Sequence, residues 1–81
     1  MSKFKWKWIP HSWADRHRCY HGPFRAVVED RDGEGASWDV YLAASGTCIA
    51  GGIYDFQPGD ASEEDYMNRA KRAAEEIMEG M

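Results

Sequence analysis

Cysteine is scarce in this 81-residue chain, with only Cys19 and Cys48 present. A secreted domain of this size that relied on disulfides would usually carry more, so the expectation is a cytosolic protein with reduced thiols; a single Cys19–Cys48 bridge is the alternative. Long apolar runs are missing too. Nothing approaches the roughly 20 consecutive apolar residues of a membrane span, and Met1 leads into no apolar signal segment. A soluble, cytoplasmic protein with no membrane partner is the reading. Catalytic signatures are equally sparse. Cys19 with His17 or His21 is the one nucleophile–base pair worth naming, and neither a third orienting group nor a glycine-rich anion loop accompanies it, so no catalytic residue is assigned and the chain reads as a non-enzyme. The run His11, His17, Cys19, His21 offers zinc-type donors, yet its spacing matches no established zinc motif. It reads as a set of polar loop residues, and no metal or cofactor is expected.

What the chain does have is tryptophan and uneven charge. Eighty-one residues suffice for one domain, residues 1–81, with a small core. Each of the four tryptophans can bury about 150–250 Å², so aromatic richness in so short a chain is first a packing solution. The net charge is −4, but residues 1–25 hold six basic and one acidic side chain while residues 26–81 hold four basic and thirteen acidic ones. Such asymmetry points to a charged partner or to two halves that attract each other.

Hydrophobic periodicity predicts the elements. Residues 3–9 alternate, with Phe4, Trp6 and Trp8 on one side and Lys3, Lys5 and Lys7 on the other, as in a half-buried edge strand. Residues 10–23 show no clear period and read as a long loop. Residues 24–30 resume strand character with Phe24, Ala26 and Val28 inward, and Asp32–Gly33 is a hairpin signal. Residues 37–44 place Trp38, Val40 and Leu42 inward and Asp39 and Tyr41 outward. Residues 47–56 form another strand with Ile49 and Ile53 in the core, and Gly51–Gly52 suggests a bulge or a close approach of another backbone. From residue 62 to 79 the period becomes 3.6, with Tyr66, Met67, Ala70, Ala73, Ala74, Ile77 and Met78 on one face. Asp60 or Ser62 can cap this helix, and acidic residues crowd its first turn. The predicted fold is α+β: an antiparallel sheet of three to four strands packed on one C-terminal helix, ββββα.

The order Trp38-x-Val40, Gly46, Ala50-x-Gly52 and the alanine-rich stretch Ala70 to Ala74 resembles the small single-domain accessory proteins of unknown function from phages of actinobacteria. The resemblance spans roughly residues 24–79 and transfers no catalytic residue. It implies a phage-encoded protein in the host cytoplasm that binds a host component. A more distant likeness is to the arm-binding domain of phage integrases, which reads DNA with a basic sheet face; here Asp39 and Asp55 stand on the outward side.

Three roles follow from these residues. The first is a protein-binding module, with Trp13, Arg16, Arg18, Tyr20 and Tyr41 as the partner-binding set: aromatics left outside the core and set beside arginines have the composition of an interface hot spot. A homodimer through the helix-free sheet face is compatible with it. The second is nucleic-acid binding through Lys3, Lys5, Lys7, Arg16, Arg18 and Arg25, with Trp13 or Tyr20 stacking on bases. The third is acidic mimicry of nucleic acid by Glu29, Asp30, Asp32, Glu34, Glu63, Glu64 and Asp65. A non-catalytic module that binds a host protein is the leading expectation.

Overall fold

A computed structural model of the chain describes residues 3–9 and 15–80. Five strands precede one helix: β1 (Lys7–Ile9), β2 (Arg16–His21), β3 (Phe24–Asp30), β4 (Gly35–Leu42), β5 (Cys48–Asp55) and α1 (Glu63–Gly80). The strands pair antiparallel in sequence order β1-β2-β3-β4-β5, an uninterrupted meander. The fold is therefore α+β, with one strand more than the upper end of the expectation. Among the described residues no helix is long and apolar enough to cross a membrane.

Turn chemistry sets the meander. Asp32 and Gly33 both take positive φ, 56° and 81°, at the centre of the turn between β3 and β4, across which Glu34 N–H donates to the Arg31 carbonyl at 3.1 Å and Arg31 N–H to the Gly35 carbonyl at 2.7 Å. Gly22 at φ 57° and Pro23 close the β2–β3 hairpin, in which His21 faces Phe24.

The extra strand is β2, which lies inside the segment read as a loop. Its alternation is genuine: His17, Cys19 and His21 pair with Val28, Ala26 and Phe24 on the helix side, while Arg16, Arg18 and Tyr20 face away. Both faces are written in polar or ambivalent residues, so the period of two leaves almost no hydrophobic trace. β1 is in turn shorter than the expected strand over 3–9.

The helix packs against β3, β4 and β5. Its buried residues Tyr66, Met67, Ala70, Ala74 and Met78 meet two adjoining clusters. One holds Phe4, Cys19, Phe24, Ala26 and Val40; the other holds Val28 and Ala36; Trp6 and Trp38 pack against both. The alanines of α1 have no bulk to hold the helix off the sheet, so it can lie close over the sheet's larger side chains.

Two core assignments change. Trp8 lies on the helix side of the sheet, paired with His17, but is 55% exposed, because α1 covers the opposite end of the meander. Its indole N–H donates to Asp15 Oδ1 at 3.2 Å instead. Ile53 faces away from the helix and is 57% exposed. The register shift between Val40 and Tyr41 lets β4 residues forty and forty-one face Ala50 and Cys48, so Ile49 is the extra residue and packs inward while Ile53 falls on the outer face. The bulge thus sits before the glycine pair. Gly51 and Gly52 answer to close approach: a Cβ on Gly52 would stand 2.8 Å from Trp38 Nε1, and one on Gly51 2.6 Å from Asp39 Oδ1.

Candidate docking face

The face of the sheet opposite α1 has no element over it among the described residues, and the meander arranges its side chains in rows across the strands. One row runs Tyr20 (β2), Arg25 (β3), Tyr41 (β4); the next runs Lys7, Arg18, Val27, Asp39; a third runs Ile9, Arg16, Glu29, Ser37. Of the five residues predicted for partner binding, Arg16, Arg18, Tyr20 and Tyr41 converge here. Trp13 lies outside the described residues, as does His11. Arg25 was assigned on sequence grounds only to phosphate contact; its place between the two tyrosines emerges from strand register.

Cations stack on both tyrosines. The Arg18 guanidinium lies 5.0 Å from the Tyr20 ring centroid, and that of Arg25 4.7 Å from the Tyr41 centroid. Arg16 grips Glu29 across the strand pair, with Nε at 2.8 Å and Nη2 closer. Between these groups lies an open cleft of about 310 Å³ lined by Arg16, Arg25, Glu29, Ser37, Asp39 and Tyr41. Arg25 Nε is buried and has no hydrogen-bond partner among the described residues. Buried donors are nearly always paired, which sets this one, held beside the Tyr41 ring, apart. Burial raises the affinity of Asp39 for its proton, and Glu29 adds to it; burial, then Asp39, does the same for the Tyr41 phenol. Tyr20, 58% exposed, is the most exposed aromatic on this face among the described residues.

The helix side of the molecule holds a second concentration of titratable groups that sequence reasoning scattered. Carboxylate oxygens of Asp15, Asp30 and Glu63 lie within 4.8 Å of one another. Asp30 is buried; it accepts from Tyr66 Oη at 2.8 Å and from Gly33 N–H at 3.2 Å. Glu63 is pushed up to about 7, chiefly by its hydrogen bond with Asp30, then by burial and by Asp15. Neighbouring carboxyl groups so close disfavour the charged form of Glu63. The signal was present in the sequence: Asp30 continues the inward parity of Phe24, Ala26 and Val28. His17, beside this cluster, is lowered by burial and then by Lys71, against the opposing pull of Asp15.

Among the described residues, these three carboxylates are the one group of three or more His, Cys, Asp or Glu side chains whose ligand atoms converge. His17, Cys19 and His21 share the inner face of β2, but Cys19 is buried in the core and the His21 ring stacks 4.6 Å from Phe4. Burial raises the Cys19 thiol. Comparison of the chain with family models, with curated proteins and with solved structures finds no match in any of the three.

Proposed function

We propose that the chain is a non-catalytic protein-binding module that engages its partner through the helix-free face of its sheet. The carrying observation is the cross-strand row Tyr20, Arg25, Tyr41 with Arg18 stacked beside it. Tyrosine and arginine are the residue types that dominate binding energy at protein interfaces: they bring large area at low entropic cost and a fork of donors. A rigid sheet holds them at defined spacing, and the unpaired Arg25 Nε supplies a donor that a partner's carboxylate or carbonyl satisfies. The resemblance to phage accessory proteins makes a host protein the partner class, with modulation of that host protein as the outcome.

The outer face also places Lys7, Arg16, Arg18 and Arg25 together on β1 to β3, which favours nucleic acid as a second reading. Against it, Glu29 and Asp39 interrupt the basic surface. An affinity capture from host lysate with the native chain and with a Tyr20→Ala/Tyr41→Ala double variant tests the first reading. A captured protein that is lost with the double variant, whose melting is unchanged, supports it; capture indifferent to the two tyrosines, or none at all, overturns it. Retention on nucleic acid at low salt that disappears as salt is raised moves the second reading ahead.

A further inference from the structure

Charge is divided between the two sides of the molecule. α1 carries six acidic and three basic side chains, and one of the three, Arg69, is held by Asp60. The helix-free face is the reverse: it presents Lys7 on β1, Arg16 and Arg18 on β2 and Arg25 on β3. Arg16 is matched by Glu29, but Lys7, Arg18 and Arg25 have no ion-pair partner among the described residues. Strand register gathers these three. Lys7 stands directly opposite Arg18, and Arg25 lies diagonal to Arg18, two residues along β3 from its partner Val27. Like charges directly opposite each other destabilise a strand pair. The nearest carboxylates on this face, Glu29 and Asp39, are themselves diagonal to Arg18 and Arg25 and pair with neither. A chain with fourteen acidic side chains thus leaves a cluster of three cations unmatched on one face.

Building on the docking role proposed above for this face, we propose that what docks is an acidic segment of the partner protein, its carboxylates seated on Lys7, Arg18 and Arg25 and its apolar side chains against Tyr20 and Tyr41. Charge complementarity carries this. An acidic segment is drawn to the sheet face and turned away by α1, so the division of charge sets orientation as well as attraction. The two guanidiniums are already laid on rings, Arg18 at 5.0 Å from the Tyr20 centroid and Arg25 at 4.7 Å from that of Tyr41, so little side-chain freedom is lost when a carboxylate meets them. Their planar forks match the planar carboxylate. A polynucleotide fits less well. Its charge repeats at every phosphate, and a backbone tracking across the strands from the three cations runs onto Glu29 and Asp39. A peptide can set carboxylates at the three cations and uncharged side chains over the two acids.

Selection of a displayed library of random peptides on the full chain tests this. Enriched sequences are expected to be rich in Asp and Glu and poor in Lys and Arg. The strongest of them, synthesised, is expected to bind an Arg18→Gln/Arg25→Gln variant about tenfold or more weakly, and to lose as much when its own Asp and Glu are exchanged for Asn and Gln. Raised salt is expected to weaken the native pair. The exchange within the peptide leaves the protein untouched, so it decides alone should the double variant misfold. Enrichment of neutral or basic sequences, no enrichment, or binding indifferent to the peptide's carboxylates overturns the proposal. A single-stranded oligonucleotide that binds more tightly than the selected peptide overturns it in favour of nucleic acid. The lysate capture judges the docking role separately. Capture that still depends on Tyr20 and Tyr41 while acidic peptides fail keeps that role and removes the acidic partner; failure of both removes the two together.

Discussion

Tyr66, in the first turns of α1, donates a 2.8 Å hydrogen bond to the Asp30 carboxylate at the end of β3, and both residues are buried. This bond ties helix to sheet at the point where the chain gathers its carboxylates. Tyr66→Phe removes this donor and leaves Asp30 with the Gly33 N–H and the Glu63 carboxyl. Loss of about 1–3 kcal/mol of unfolding free energy is expected, the usual consequence of stranding a buried polar group. Urea unfolding of the two proteins side by side measures it. A variant as stable as the parent means that water reaches Asp30.

Glu63 makes stability fall with rising pH in a defined window. Its carboxyl titrates near 4.5 when the chain is unfolded and at about 7 when folded. Between those values the folded state holds a proton that the unfolded state has released, so its contribution is complete below 4.5 and is lost as pH climbs through 7. His17, lowered by burial, acts in the opposite sense: its contribution grows as pH rises toward 6.5 and is complete above that value. Comparison with Glu63→Gln isolates the first effect. The Gln variant is expected to lose the downward slope between pH 4.5 and 7 and to exceed the parent in stability above pH 7. Identical pH profiles for the two proteins exclude the raised Glu63 carboxyl.

The two ends of the tryptophan-bearing sheet differ in worth. Trp8→Ala, at a ring 55% exposed, is expected to cost less than about 1 kcal/mol. Val40→Ala, at a fully buried side chain facing α1, is expected to cost about 1–3 kcal/mol despite the smaller truncation. Thermal melting of both ranks them. The reverse order would place Trp8 in the core.

The two thiols are expected to react at very different rates. Cys48 is exposed on β5, whereas Cys19 is buried and its thiolate is disfavoured by that burial. One equivalent of a thiol reagent should be consumed rapidly by folded protein and a second only on denaturation. Two fast equivalents would show that the cluster around Cys19 opens readily.

Much of the architecture was readable from periodicity. β3, β4 and α1 announce themselves because one face is apolar and the other polar. β2 was hidden, since its inner face is His-Cys-His and its outer face Arg-Arg-Tyr, and a period of two between two polar sets looks like no period. Ile53 was misplaced because one extra residue at Ile49 reverses the parity of everything after it. Arg16, Arg18, Tyr20 and Tyr41 were singled out by residue type, yet no sequence feature brings Tyr20 and Tyr41 to the two sides of Arg25; that needs the register of three strands. Asp15 and Asp30 are brought together by the pairing of β2 with β3, and Glu63, thirty-three residues further on, joins them only when α1 closes over the sheet.

Local chemistry settled the layers, the turns and the amphipathic helix, because side-chain periodicity and positive-φ residues act over a few neighbours. Tertiary structure alone decided which strands became the sheet edges, which tryptophan stayed wet and which carboxylates crowd together. These depend on distances between segments far apart in the chain, and no spacing within one segment encodes them.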